Sequence, residues 1–324
     1  MSSLQVFFLA ICSAALMSMP VASRAQGYPS KPVRLIVGFP PGGISDGLAR
    51  VAGQHLSTAL GQQVLVDNRP GAGTTIAAEL TARSAPDGYT LYFADVTTHA
   101  INATLYGKLP YDSFKDFTPI ALVATTPLIL VVHPSLPVKS VAELIALARK
   151  HPGQINYASS GNGTILHLSG ETLKTMAGID LVHIPYKGSA PAVAALLGGE
   201  VALTFSTTPA ALPHVRSGKV RSLAVSSARR NALIPEVPAL AETLPGFDII
   251  LYSGVMGPAG MARDIVGRLN TELGRMLQQA KVKEVWAGFG ADTVSATPEQ
   301  FGEHLKADID KLGKLVKASG AHID

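Results

Sequence analysis

One local pattern recurs along this chain and restricts its fold more than any other feature: a short apolar run, a glycine-rich polar turn, then apolar residues at helical spacing. Residues 33–37 lead into Phe39-Pro40-Pro41-Gly42-Gly43-Ile44. Ser45 then caps a predicted helix carrying Leu48, Val51, Ala52, His55 and Ala59 to a stop at Gly61. Residues 64–66 lead into a glycine-rich loop, Asp67 to Thr75, and a short helix through Ala82. Tyr89 to Ala94 reads as a third strand that leaves through Thr97-Thr98-His99, a polar strand exit. Strands alternating with helices form parallel sheets, and their exits share one sheet edge, where open α/β sheets bind ligands.

The unit then returns. Residues 117–122 and 128–132 are predicted strands separated by Thr125-Thr126-Pro127, where the chain crosses to a second lobe. Ser140-Val141-Ala142-Glu143 is a capping box opening a helix that ends near Gly153. Residues 155–158, 181–185 and 201–205 are further strands, leaving at Ser159-Ser160-Gly161, Tyr186-Lys187-Gly188 and Ser206-Thr207-Thr208. Residues 220–225 return the chain, residues 247–256 are another apolar run, and helices follow at 263–279 and from Thr297. The expected division is a signal segment at 1–25, lobe 1 at 26–122 and 227–324, and lobe 2 at 123–226. The fold class is therefore α/β with two lobes, each a mostly parallel sheet flanked by helices, and a ligand cleft between them that can hinge shut.

Composition narrows the function. With 324 residues, 47% hydrophobic and 15% charged, the chain is globular. A net charge of +4 with no block of Lys or Arg interleaved with aromatics argues against nucleic acid as a partner. Residues 6–19 are apolar and uncharged, shorter than the roughly 20 residues of a membrane span, and lead to Ser23-Arg24-Ala25. This reads as a secretory signal cleaved near Ala25, although no Lys or Arg precedes Val6. The single cysteine, Cys12, lies inside it, so the exported chain has no thiol for disulfides, catalysis or zinc.

The turn from Ala158 to His167 carries the clearest chemistry. It precedes a helix with Leu166, Gly170, Leu173 and Ala177 at helical spacing, stopped by Gly178. Free backbone amides, the positive end of the helix dipole and the hydroxyls of Ser159, Ser160 and Thr164 form an anion site without arginine. An ordinary strand-to-helix turn has the same outline. His167, one turn after Thr164, is placed to bond the loop or the ligand. Asp46 enters its helix in the first turn, where its charge suits the dipole in any case. His133, His183 and His214 read as strand-end or surface residues. Gly71-Ala72-Gly73 and Gly161-Asn162-Gly163 each lack the last glycine of a dinucleotide fingerprint, and no P-loop or metal-binding histidine spacing occurs. No cofactor or metal is expected. No nucleophile stands beside a base, so catalysis is not expected either.

Several motifs in fixed order make the chain resemble the Bug family, the extracytoplasmic solute-binding receptors of tripartite tricarboxylate transporters. They are Phe39-Pro40-Pro41-Gly42-Gly43 with Asp46, Asp67-Asn68-Arg69-Pro70-Gly71-Ala72-Gly73, Pro86-Asp87-Gly88-Tyr89-Thr90-Leu91 and Phe117-Thr118-Pro119-Ile120. Ser159-Ser160-Gly161 with Gly163-Thr164 and His167, His183-Ile184-Pro185-Tyr186-Lys187-Gly188, and Leu223-Ala224-Val225 continue the series. The resemblance implies a type II periplasmic-binding-protein fold, with periplasmic location and a membrane permease as partner. It also implies a ligand carboxylate at Ser159, Ser160, Gly161 and Thr164. Phe39, Gly42, Gly43 and Asp46 would form the opposite wall, Thr97 and Thr98 the floor, and Tyr186 and Gly188 the rim. Ser206 stands where many relatives carry an aspartate for a ligand amine, and Tyr252 where many carry Trp. A di- or tricarboxylate or an aromatic acid is therefore expected ahead of an amino acid.

Three or four charge-assisted hydrogen bonds at roughly 1.5 to 3 kcal/mol each, less ordering costs, reach about −8 kcal/mol, or micromolar affinity. The receptor is expected to act as a monomer. Two alternatives stay open on sequence: a periplasmic carboxylate sensor that presents its ligand state to a signalling kinase, and a secreted α/β hydrolase.

Overall fold

The computed structural model describes residues 27–323, so the expected signal segment and Cys12 lie outside the described residues. The first lobe opens with β1 (Val33–Val37), α1 (Ile44–Leu60), β2 (Val64–Asn68), α2 (Thr75–Ala82), β3 (Thr90–Asp95), α3 (Val96–Leu105) and β4 (Phe117–Pro127). Gly43, not Ser45, is the N-cap of α1, and Ser45 sits buried in its first turn beside Asp46. Thr97, Thr98 and His99, expected as a strand exit, form the first turn of α3. The reason is Asp95, whose side chain accepts the Thr98 amide at 2.9 Å and caps that helix. Thr125-Thr126-Pro127 does not interrupt a strand: β4 is continuous over 11 residues. Pro127 stands at its last position, where proline costs the ladder least.

The second lobe comprises β5 (Ile129–Val132), α4 (Val141–Lys150), β6 (Asn156–Ser159), α5 (Ile165–Ala177), β7 (Val182–Pro185), α6 (Ser189–Leu197), β8 (Leu203–Ser206), α7 (Thr208–Arg216) and β9 (Arg221–Val225). Ser140 caps α4 as expected, accepting the Glu143 amide at 3.2 Å. The return half of that box shifts by one residue, because Glu143 accepts from the Lys139 amide at 2.6 Å. Thr164 caps α5 and Gly178 ends it in a left-handed turn. The chain then re-enters the first lobe through β10 (Ile250–Pro258), followed by α8 (Arg263–Gln278), α9 (Ala280–Gly288), β11 (Asp292–Thr293) and α10 (Pro298–Ser319).

The six-stranded sheet runs β11-β4-β10-β3-β1-β2 and the five-stranded sheet β7-β6-β8-β5-β9. Both are mixed. The strands that deliver the glycine-rich loops, β2-β1-β3 and β7-β6-β8, are parallel, whereas β10 and β5 run against their neighbours. Topology forces this. A chain crossing between lobes leaves one sheet at the cleft edge and enters the other at that same edge, so the first strand after each crossing is reversed.

Alternation along β5 divides the second lobe's interior. Leu130 and Val132 join a cluster that runs through both sheets, while Ile129 and Val131 join a smaller one on the other face. In the first lobe the fully buried Trp286 of α9 donates its indole N–H to Val123 O at 3.0 Å, tying the returning helices to β4.

Candidate functional site

The loops that leave the parallel strands of both sheets converge on a cleft. Its inner part is a cavity of about 220 Å³ bounded by Phe39, Gly43, Asp95 and Leu251 of the first lobe and by Ser160, Leu166 and Gly188 of the second. A larger space of about 590 Å³ opens beside it, between the loop at Gly71 to Thr74 and the loop carrying Gly161, Thr164 and Tyr186. Phe39, Pro40, Ser160 and Lys187 border both, so they stand at the junction.

The Ser159–Thr164 turn is braced from within. Gly161 takes φ +129°, and a Cβ there would fall 3.3 Å from the Tyr186 carbonyl, so the turn needs glycine for both its conformation and its close approach. The Ser159 hydroxyl is consumed: it lies 2.6 Å from His183 Nε2 and accepts the Gly161 amide at 3.1 Å. Thr164 Oγ1 donates to Gly161 O at 2.8 Å, and His167 Nδ1 accepts from the Gly163 amide at 3.3 Å. Ser160 differs. Its hydroxyl is buried at the junction of the two spaces and has no hydrogen-bond partner among the described residues. A buried hydroxyl left unpaired is costly unless a ligand or water pairs it.

Behind the turn, the rings of His167 and His183 stack at 4.0 Å, and Tyr157 stacks on His183 at 4.9 Å. Burial pushes the His183 imidazole down to about 3, with His167 and Lys174 adding to the shift. Burial likewise lowers His167, against the opposing charge of Glu171. Both rings are therefore neutral and hold the turn through hydrogen bonds, not charge. His183 read as a strand-end residue; its partner Ser159 is 24 positions away, a separation that local patterns cannot reveal.

The other expected site residues divide between the cleft and its supports. Phe39, Gly43 and Gly188 border the inner cavity, and Gly161, Thr164 and Tyr186 the outer space. Asp46 does not border either one. Its carboxylate accepts from the Gly42 amide at 3.0 Å, from Asn68 Nδ2 at 3.0 Å and from Arg50, so it holds the Phe39 loop in place. Burial opposes its ionisation, yet these bonds from Arg50, Gly42 and Asn68 outweigh burial and keep it below the usual carboxylate range. Ser206 is fully buried, and its hydroxyl lies 3.0 Å from that of Ser189.

Thr97 and Tyr252 face a separate cavity of about 140 Å³ against α10, away from the cleft. Thr97 Oγ1 accepts the Tyr252 amide at 2.9 Å and donates to Ile250 O at 3.0 Å, and the Tyr252 ring lies 4.1 Å from that of His304. Strand alternation is the cause: the residue of β10 that reaches the cleft is Leu251. Thr98 lies between the lobes, where its hydroxyl accepts the Ile165 amide of α5 at 3.2 Å.

Asp95 is the principal cleft residue that the sequence reading passed over as a site. It is 4% exposed, borders the inner cavity, and burial pushes its carboxyl up to about 7 against the hydrogen bonds from Thr98. Its place before a helical pattern reads as an N-cap, a signal that could have placed it at a strand end facing the cleft. Among the described residues no three His, Cys, Asp or Glu are grouped to hold a metal.

The family profile described as tripartite tricarboxylate transporter family receptor matches residues 48–321. Protein BugT of Bordetella pertussis is 39% identical over 301 residues, spanning 92% of this chain and 92% of that one. The UPF0065 protein of the tcbD-tcbE intergenic region of Pseudomonas sp. (strain P51) is 36% identical over 297 residues, 91% of this chain and 88% of that one. Among solved structures, R. palustris Rpa4515 with adipate superposes with a TM-score of 0.87 at 37% identity, covering 91% of this chain and 100% of that one. MatC (Rpa3494) from Rhodopseudomonas palustris with bound malate gives 0.84 at 31% identity, covering 89% and 100%. Profile, relatives and structures agree along nearly the whole described chain, and the protein belongs to the tripartite tricarboxylate transporter receptor family as a solute-binding receptor.

Proposed function

We propose that the protein is a periplasmic receptor that captures a small carboxylate-bearing metabolite between its lobes and passes it, in the closed form, to the membrane permease of a tripartite tricarboxylate-type transporter. The observation that carries this reading is the Ser160 hydroxyl, buried without a protein partner where both spaces meet and one turn before the N-terminus of α5. A carboxylate there gains the Ser160 hydroxyl and the positive end of the helix while leaving water. Of the first amides of α5, Ile165 is spent on Thr98 and His167 on Thr164, so the amide of Leu166, which borders the cavity, is the helix donor offered to the ligand. Phe39, Pro40 and Leu251 supply an apolar wall for the ligand's carbon skeleton. The relatives solved with adipate and malate, both dicarboxylates, support a small carboxylate as the ligand here.

A thermal-shift screen of mono-, di- and tricarboxylates, aromatic acids and amino acids tests the proposal, because a ligand that binds only the folded state raises Tm. Stabilisation by one or more carboxylates, reduced by Ser160→Ala, is expected. No response to any carboxylate would overturn the reading.

A further inference from the structure

The inner cavity holds a carboxyl group that the family-level reading does not use. One oxygen of Asp95 accepts the Thr98 amide at 2.9 Å, and no Lys, Arg or His nitrogen among the described residues lies within 4.0 Å of either oxygen. The group is thus a buried acid, bordering the ligand space, without a cation to pair it. Such a group is retained at a cost unless something completes its hydrogen bonding.

The sheet adds a second, independent observation. Asp95 is registered directly opposite Ser253 of β10, and Leu251, two residues from Ser253, is opposite Thr126 of β4. Directly paired residues share a sheet face, as do residues two apart on one strand. Asp95, Ser253, Leu251 and Thr126 therefore lie on one face, the face from which Asp95 and Leu251 border the cavity. Ser253 and Thr126 are fully buried, and each has a hydroxyl oxygen with no hydrogen-bond partner among the described residues. The inner wall is thus polar behind an apolar lining, with a carboxyl at its front.

We propose that Asp95 sets the ligand class: the preferred ligand is a small carboxylate whose far end carries an O–H or N–H donor, a hydroxyl being the simplest, that gives its hydrogen to the free oxygen of Asp95. This rests on the carboxylate reading of the Ser160 end. Above about pH 7 Asp95 is ionised and only accepts hydrogen bonds, so a second ligand carboxylate meets it as acceptor against acceptor and like charge against like. A hydroxyl meets it as donor against acceptor, a charge-assisted bond in a water-poor site. Burial opposes the ionisation of Asp95, and a donor on the ligand offsets that burden where a carboxylate adds to it.

Isothermal titration at pH 8 with matched triplets tests this: benzoate, 4-hydroxybenzoate and terephthalate, then hexanoate, 6-hydroxyhexanoate and adipate. In at least one triplet the hydroxy acid is expected to bind about tenfold more tightly than its parent, and the dicarboxylate more weakly than the hydroxy acid. Asp95→Asn keeps a residue that caps helices well, and it is expected to shrink the hydroxyl preference severalfold while raising dicarboxylate affinity. Binding of carboxylates with no preference for the hydroxy member, or preferential binding of the dicarboxylate by the unmodified protein, would overturn the role of Asp95 and leave the carboxylate site standing. An unchanged preference in Asp95→Asn would overturn it equally. Failure of every member of both triplets to bind would bring down the carboxylate site and this inference together.

Discussion

The Ile165 amide, at the start of a second-lobe helix, donates across the lobes to the hydroxyl of Thr98 at 3.2 Å, while the Thr98 amide donates to Asp95. One residue thereby links the helix that faces the ligand to the carboxyl on the opposite wall. Thr98→Val preserves shape and removes the acceptor, leaving a buried N–H unpaired only in the closed form. The expected result is a loss of roughly 1 kcal/mol of closure, about fivefold in affinity for the best carboxylate of the screen. Titration calorimetry checks it; unchanged affinity would show that the bond does not hold the lobes together.

The two adjacent serines of the turn should behave differently. Ser160→Ala removes an unpaired hydroxyl, so it is expected to weaken ligand binding by about tenfold and leave Tm of the free protein nearly unchanged. Ser159→Ala deprives His183 Nε2 and the Gly161 amide of their partner and is expected to cost about 1 to 3 kcal/mol of stability before any ligand is added. Thermal unfolding and titration on both variants separate the roles, and equal losses of stability would refute the distinction.

Acid and alkaline sides of the stability profile have different origins. Asp95 is raised to about 7 in the fold, against about 3.9 unfolded, so between about pH 4 and 7 the native chain holds a proton that the unfolded chain has released. Its contribution is present at low pH and lost as pH rises through that window. His183 is lowered to about 3, against about 6.5 unfolded, so its contribution is lost as pH falls from about 6.5 to 3. The Tm of Asp95→Asn relative to the unmodified protein is expected to climb from pH 4 to pH 8. A difference that stays flat across this range would contradict the assignment.

Much of this architecture was legible because it repeats with local signals. Gly61 and Gly178 stop helices where the apolar spacing ends, and Thr164 and Thr297 cap helices through bonds spanning three residues. The anion-binding turn could be read for the same reason: its glycines, hydroxyls and helix are contiguous. What could not be read depends on which way a strand faces or on distant partners. Tyr252 and Leu251 are neighbours in sequence, and the pairing of β10 between β3 and β4 decides which one reaches the cleft. Asp46 enters α1 beside the Phe39 loop, but Asn68, at the end of β2, turns its carboxylate into a brace. Thr97 and Thr98 left the strand for a helix because Asp95 caps it, and that also changed what each hydroxyl could touch.

Closure itself can be tested at the mouth of the cleft. Gly73, in the first-lobe loop, has φ +57°, and a Cβ there would lie 2.8 Å from the Asn162 carbonyl of the second lobe. Gly73→Ala therefore incurs left-handed strain, about 1 kcal/mol, a tight 3.2 Å approach to Tyr106 Oη within its own lobe, and a clash with Asn162 made only when the lobes meet. Gly178→Ala provides the control, since its φ of +60° carries the same strain with nothing within 4 Å of the added Cβ. Both variants are expected to lose similar stability, but Gly73→Ala alone should weaken ligand affinity by tenfold or more and lose the ligand-induced fall in radius of gyration seen by small-angle scattering. If the two alanine variants bind ligand equally well, the contact between the Gly73 and Asn162 loops plays no part in closing the cleft.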